Sequence, residues 1–391
     1  MDKSAFLHRV EKEKRFAVMY KTGDNIISSL GFTTEENFSN VQSGISGVKS
    51  YKIGDFDLPE AFMASLINKE KLNDEFVKIS SKNNFSNLEK AAILSVFTAN
   101  NEAQIDLSNE KTLFILSTTK GNVDLLDHSN QERIFLWHTA ELVSTFFKNK
   151  NTPVVVSNAC ISGASAQIVA MRELQSERYD HAVVTGVDFL SKFIISGFQS
   201  FKALSPELCR PFDKKRCGLN LGEAASTIIF SKNKKSKIQL LNGVIRNDAN
   251  HISAPSRTGE GCYRALKTIL QDVETEKISF INAHGTSTPY NDASEANALV
   301  RAGLQTIPVN SLKAYFGHTL GAAGILESVI SMKALEKNMV LKTLNFEEQD
   351  FENKINVAQE NLFTYKSYFV KLLSGFGGCN AALVFAKNVT K

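Results

Sequence analysis

Three side chains of this 391-residue chain have the types that nucleophilic catalysis uses: Cys160, His284 and His318. Cys160 closes the run Val154-Val155-Val156-Ser157-Asn158-Ala159-Cys160 and is followed by Ile161-Ser162-Gly163-Ala164-Ser165-Ala166. This reads as a strand delivering a cysteine to the first turn of a small-residue helix. A thiol attacks as thiolate, and the free N–H groups and dipole of a helix N-terminus favour that anion. Gly163, Ala164 and Ala166 carry almost no bulk, so another segment can approach the helix closely. The same pattern also suits a buried cysteine in a packed strand–helix joint, since free cysteine is among the most buried residue types.

A nucleophile needs a base or charge partner. Of the seven histidines, at 8, 128, 138, 181, 251, 284 and 318, two stand in unusual settings. His284 opens His284-Gly285-Thr286-Ser287-Thr288-Pro289-Tyr290-Asn291-Asp292, where hydroxyls at 286 and 288 are placed to bind a polar ligand just past a strand end. His318 lies in Lys313-Ala314-Tyr315-Phe316-Gly317-His318-Thr319-Leu320-Gly321-Ala322-Ala323-Gly324, after a lysine and before a mostly apolar helix.

The elements that must position these groups alternate from residue 153 onward in an α/β pattern. Strand character falls at 112–117, 154–156, 182–186, 225–230, 238–245, 278–282 and 308–312, and helical spacing at 162–175, 262–273 and up to 336. The run 369–385 reads as two strands hinged at Gly375-Phe376-Gly377-Gly378. A charged turn at 232–237 divides residues 1–232, which carry the cysteine, from 233–391, which carry both histidines. In each half a strand ends in a reactive side chain and a Gly/Ala-rich helix follows, which predicts a duplicated unit with two strand ends facing one cleft. Residues 1–150 show polar stretches at 21–52 and 68–90 and no cofactor motif.

Apolar content of 43% permits a large core, and a net charge of +4 is too mild for a nucleic-acid partner while compatible with an acidic protein or an anionic ligand. The five cysteines include no CxxC pair, so neither a disulfide framework nor a zinc site is supported and a reducing, cytoplasmic setting is expected. The charged N-terminus lacks a signal-peptide core, and no apolar run approaches the ~18 residues of a membrane span.

Together the Cys160 joint, the His284–Asp292 segment, the Lys313–His318 segment and the terminal GFGG turn resemble the β-ketoacyl-acyl carrier protein synthases, condensing enzymes of the thiolase superfamily, over roughly residues 110–391. Arg210-Pro211-Phe212-Asp213, Arg216, Gly218, Gly222, Glu223 and Glu327 agree with that family. The resemblance implies a thiolase-like, five-layered αβαβα fold with two similar halves and the active site between them. It implies a dimer, either of this chain or with a related ketosynthase subunit. It also implies a reaction, the decarboxylative Claisen condensation of an acyl group held on cysteine with malonyl-acyl carrier protein. Substrates would arrive on carrier-protein phosphopantetheine, with no bound cofactor and no metal.

Carried over residue by residue, the resemblance makes Cys160 the nucleophile and His284 and His318 donors to the enolate oxygen. The backbone N–H groups of Cys160 and Phe376 become an oxyanion hole, with Gly377 and its neighbours letting that backbone reach the cleft and the Phe376 ring gating acyl entry. Lys313 becomes a fixed positive charge with Glu327 as counterpart, Thr286 and Thr288 bind pantetheine amides, and Arg210 docks the carrier protein.

Two departures stand out. Residues 16–31 match the family's opening VVxTGxGxxSPLG strand and turn loosely, and 50–150 are short and divergent where the family shapes its dimer face and acyl pocket. That points to a specialised pathway, such as an aryl polyene or flexirubin-like pigment, beside ordinary fatty acid or polyketide synthesis. A thiolase would carry a second cysteine ahead of the C-terminal glycines, whereas Cys379 follows Gly377-Gly378. A chain-length-factor-like subunit generally lacks the nucleophile, whereas Cys160, His284 and His318 are all present.

Overall fold

Two equivalent sets of five strands build the central sheet. The computed structural model describes residues 19–52, 56, 58, 61–82, 84–126 and 131–388. The first set is β1 (Met19–Ile27), β2 (Thr112–Ser117), β3 (Val154–Val156), β4 (His181–Asp188) and β5 (Ala224–Ser231). The second is β6 (Ile238–Asn247), β7 (Ile278–Asn282), β8 (Val309–Asn310), β9 (Tyr368–Gly375) and β10 (Cys379–Lys387). Their spatial orders, β3-β2-β4-β5-β1 and β8-β7-β9-β10-β6, are the same pattern. The pairing directions also repeat, with three parallel neighbours followed by two reversals in each set. The sets join where β1 and β6 pair antiparallel at Met19–Leu240 and Tyr20–Gln239.

The framing helices are α1 (Asn87–Ala103), α2 (Leu136–Phe146), α3 (Ser162–Gln175), α4 (Lys192–Ser200), α5 (Glu260–Ile269), α6 (Pro289–Arg301) and α7 (Ala323–Glu336). Helices α1 and α2 cover the outer face of the first half-sheet, α5 and α6 that of the second, and α3 and α7 pack together between the halves. The result is five layers, αβαβα. Helix α7 is apolar on nearly every side, and such a helix is stable only when surrounded. Strand β5 is buried at every position, as a strand covered on both faces must be, and shows no apolar/polar alternation.

The α3–α7 crossing depends on missing side chains. A Cβ on Gly163 would lie 2.9 Å from the Gly321 carbonyl oxygen, and one on Gly324 would collide with the Ala164 backbone nitrogen. Gln167 then clamps the pair, donating from Nε2 to the Gly163 oxygen at 3.1 Å and the Gly324 oxygen at 3.0 Å.

The loose match of residues 16–31 to the family's opening strand falls on β1, a central strand whose Lys21 and Asp24 hide their charge in a 2.6 Å ion pair. Two expectations need correction. The strand expected at 308–312 is only Val309–Asn310, because the chain turns at once into the short helix Lys313–Phe316. Helical spacing over 262–273 holds as α-helix to Ile269 and then tightens into a 3₁₀ turn, Leu270–Asp272. The charged N-terminus, residues 16–18 of the opening strand comparison, His8 and His128 lie outside the described residues. Among the described residues no helix is long and apolar enough to cross a membrane.

Candidate active site

Strand β3 ends at Val156, and a left-handed Ala159 (φ 44°) swings Cys160 to a place just ahead of α3. Ser162 fixes this turn, its Oγ accepting from Asn158 N at 2.8 Å and donating to Ala159 O at 2.6 Å. The end of β9 runs alongside: a Cβ on Gly375 would stand 3.3 Å from Cys160 N, and the Phe376 N–H donates to the thiol. Burial pushes the Cys160 thiol up to about 11, against the opposing pull of Lys313 and the Phe376 N–H. At neutral pH the resting group is therefore a thiol. Burial thus outweighs the helix end that favours the thiolate.

Strand β7 delivers His284, and Glu295 of α6 holds the loop by accepting from His284 N at 2.7 Å and Gly285 N at 2.9 Å. Gly285 has φ 43°, and a Cβ there would meet Ser311 Cβ at 2.6 Å. Asp292 accepts from Phe212 N at 2.7 Å and Ser287 N at 3.1 Å, while Arg210 N donates to Ser287 Oγ at 2.8 Å. The Arg210–Asp213 segment is thus stitched to the histidine loop through its backbone. The Arg210 guanidinium faces Glu347 at 3.8 Å and is not part of either cavity wall.

His318 is pinned by its own peptide groups, donating to Asn220 O at 2.7 Å and accepting from Gly222 N at 3.0 Å. Among the described residues, both of its ring nitrogens, and Nδ1 of His284, have no hydrogen-bond partner. The two rings stand at 82° with centroids 5.3 Å apart. Cys160 Sγ and one nitrogen from each ring all fall within 4.8 Å of one another. Burial first, and then the Lys313 charge, push both imidazoles well below the usual histidine range, so they are neutral. Neutral imidazoles beside a thiol can take its proton or donate N–H to an anionic oxygen; the three groups are also ligand types that zinc accepts.

Beneath the histidines lies a buried charge cluster. Lys313 Nζ bonds Glu327 Oε1, and Lys371 Nζ, from β9, stands 2.6 Å from Glu327 Oε2. All three side chains are essentially inaccessible. Glu327 is therefore an internal counter-ion, and neither it nor Lys313 reaches a cavity wall. Sequence reading missed Lys371, Glu295 and Asp188; the available signal was a charge inside an apolar strand run, as in Phe369-Val370-Lys371-Leu372-Leu373. Asp188 joins the two halves, accepting from Thr118 Oγ1 at 2.8 Å, Thr119 N at 3.0 Å and Gly321 N at 2.7 Å.

Cys160 is reached from two cavities. One, of about 410 Å³, is lined by Thr286, Thr288, both histidines and Phe376; the other, of about 540 Å³, is walled by Phe193, Ile194, Phe198, Phe201 and the same Phe376. The Phe376 ring stands between them, stacked on Phe198 at 6.1 Å and edge-on to Phe201 at 5.5 Å. Gly377 (φ 82°) sits behind this wall, its N–H donating to Ile252 O at 2.7 Å.

Matches to known families fit this geometry. The model of the β-ketoacyl synthase N-terminal domain matches residues 22–236, and that of the C-terminal domain matches 239–347. The chain belongs to the β-ketoacyl synthase family. It is a condensing acyltransferase. This ketosynthase is 26% identical to a putative mitochondrial 3-oxoacyl-[acyl-carrier-protein] synthase of Schizosaccharomyces pombe, over 94% of this chain and 98% of the relative. It is 27% identical to 3-oxoacyl-[acyl-carrier-protein] synthase 2 of Coxiella burnetii, over 96% and 99%. Among solved structures, the ishigamide ketosynthase/chain length factor superposes with a TM-score of 0.86 at 24% identity, covering 95% of this chain and 99% of that one. A ketosynthase from Xenorhabdus doucetiae, in complex with its chain length factor, superposes with a TM-score of 0.82 at 22% identity, covering 96% and 99%. These likenesses extend to the thiolase-like fold.

Proposed function

We propose that this ketosynthase is a 3-oxoacyl-[acyl-carrier-protein] synthase that condenses an acyl group held on Cys160 with a malonyl group held on a carrier protein. The observation that carries the reading is the convergence of one thiol and two neutral imidazoles within 4.8 Å, where two cavities meet. Cys160 Sγ attacks the acyl thioester as its proton passes to a neighbouring imidazole. The new S–C bond forms, the carrier's C–S bond breaks, and the proton leaves with the carrier thiol. The N–H groups of Cys160 and Phe376 stabilise the oxyanion of that step. Malonyl thioester then loses CO2, and the electron pair left behind becomes an enolate whose oxygen accepts from His284 and His318. Its carbon attacks the acyl-cysteine carbonyl, the C–C bond forms, and Cys160 departs and takes up a proton.

In this reading the acyl chain occupies the apolar cavity beyond Phe376, and pantetheine lies along Thr286 and Thr288. Gly377 supports the Phe376 backbone, the Lys313–Glu327 pair tunes the field, and Arg210 faces the acidic carrier protein. Substrates arrive on phosphopantetheine, and no further cofactor enters the steps. The half carrying the nucleophile, 1–232, and the half carrying the histidines, 233–391, supply the two stages. The divergent segment 50–150 is the ground for proposing a specialised, polyene- or polyketide-type pathway, and the fold likeness to ketosynthases paired with chain length factors is the ground for proposing a related partner chain. A second chain of the same fold fits the edge strand β3, whose three valines are half-exposed, and the adjoining Phe193, 56% exposed. Free cysteines throughout the described residues suit a cytoplasmic setting.

The test is to give the purified chain acyl- and malonyl-carrier proteins and follow the product by mass spectrometry. A 3-ketoacyl product two carbons longer is expected. Acetoacetyl-coenzyme A made from acetyl-coenzyme A alone would instead mark a thiolase, and activity only with a sister chain would mark an obligate heterodimer.

A further inference from the structure

In the cluster under the histidines one carboxylate is shared between two cations. Glu327 already has an ion-pair partner in Lys313, yet a second buried ammonium, Lys371, stands 2.6 Å from its other oxygen. Taking a charge out of water costs several kcal/mol unless it is paired, and the other carboxylate acting on Lys371, Glu295, is itself pushed up by burial to about 7. A carboxylate shared in this way serves stability poorly. The location of the second cation supplies a reason: Lys371 Nζ also lies 2.9 Å from Leu372 O, 3.4 Å from Ala283 O and 3.5 Å from Asn282 O, directly under the peptide that carries His284.

We infer that Lys371 is a positioning residue of the active site, a second fixed cation that acts through Glu327 and the His284 loop to favour neutral imidazoles and the negative charge that develops beside them. The inference rests on the condensing reaction proposed above and adds a residue to it. The charged and titratable groups around Lys371 come from every packed element: Glu327 from α7, Lys313 from the turn after β8, Glu295 from α6, and His284 and His318 from their loops. Lys371 is among the causes that lower both imidazoles, after Lys313 in each case. Burial lowers Lys371 itself to about 8, with Glu327 opposing. Its charge is therefore lost within the working range of an assay, which makes it measurable.

The experiment compares malonyl-thioester decarboxylation against pH in the wild-type chain, Lys371→Arg and Lys371→Met. Wild type is expected to slow as pH rises through about 8, where Lys371 discharges. Lys371→Arg, which stays charged, is expected to keep its rate there. Lys371→Met is expected to be about tenfold slower at neutral pH, the equivalent of roughly one pKa unit, and to lack the alkaline fall. A Lys371→Met variant with the wild-type rate and profile would overturn the inference, as would an alkaline fall that persists in Lys371→Arg. The arginine variant carries the test alone if the methionine variant does not fold.

A substrate-free readout separates this inference from the reaction it rests on. A lysine lowered in the folded state binds fewer protons there than when unfolded, so the wild-type minus Lys371→Arg stability difference must rise between about pH 8 and 10.5. If decarboxylation is absent but that rise is seen, the proposed reaction fails and the buried titrating lysine stands. A flat difference would remove the lysine from the account.

Discussion

The two strand–helix joints that meet at the active site share a scaffold and differ in what they present. In the first, β3 leads to Cys160 and α3; in the second, β8 leads through Lys313 and His318 to α7. Both helices lean on a glycine at the crossing, Gly163 and Gly324, and one glutamine bonds both backbones. The first joint offers an uncharged thiol and one buried carboxylate, Asp188, which is occupied with backbone N–H groups and Thr118. The second gathers Lys313, Glu327 and Lys371 into one buried ion cluster beneath His284 and His318, with Glu295 holding the His284 loop. On the proposed reaction, duplication separates two tasks: one half supplies the group that forms a bond to the acyl chain, and the other supplies the field in which negative charge appears.

That division is broken most sharply at the nucleophile. Cys160→Ala is expected to abolish acyl transfer, a loss on the order of 10⁶ for an essential nucleophile, while malonyl decarboxylation persists because the second half is intact. Parallel assays of the two partial reactions check this, and loss of both together would contradict the separation. In the other half, His284→Ala or His318→Ala is expected to reduce decarboxylation by about 10²–10³, while single-turnover labelling of Cys160 slows less because one imidazole remains to take the thiol proton.

Stability gives the next contrast. Gly324→Val would force a branched side chain into the Ala164 backbone, and overpacking of this kind costs ~1–3 kcal/mol; a lower denaturant midpoint with both partial reactions impaired is the expected result. Glu295 is raised by burial to about 7 from an ordinary 4.5. An acid raised in the folded state contributes stability that is fully present below its unfolded pKa and is lost as pH climbs through the folded one. The wild-type minus Glu295→Gln stability difference should therefore shrink from about pH 4.5 to 7, measured by urea titration at each pH. The smallest effect belongs to Arg210→Ala, which removes only a long, partly exposed ion pair, worth ~0–1 kcal/mol. Its expected signature is a raised KM for carrier-bound substrate with turnover within about twofold.

The same contrast explains what the sequence revealed. Cys160 and His318 were legible because each stands at a strand–helix joint beside glycine- or alanine-rich chain, and because the motif order is distinctive. Strands 112–117, 154–156 and 278–282 were readable as short β-rich runs. Strand β1 was legible only through the loose family match at 16–31, since Lys21 and Asp24 make a central strand look like surface. Lys371, Glu295 and Asp188 were hidden for the related reason that a single charged letter in an apolar run does not reveal its partner, which comes from a distant segment. The protonation states escaped as well: a helix N-terminus argues for thiolate, but burial outweighs it and leaves Cys160 near 11.

The most direct test is to expose the wild-type chain and Cys160→Ala to acyl-carrier protein, digest both, and locate the acyl group by mass spectrometry. One acyl group on the peptide containing Cys160, absent from the alanine variant, is the expected result. An acyl group on another residue, or equal labelling of the variant, would contradict the assignment of Cys160 and with it the site built around it.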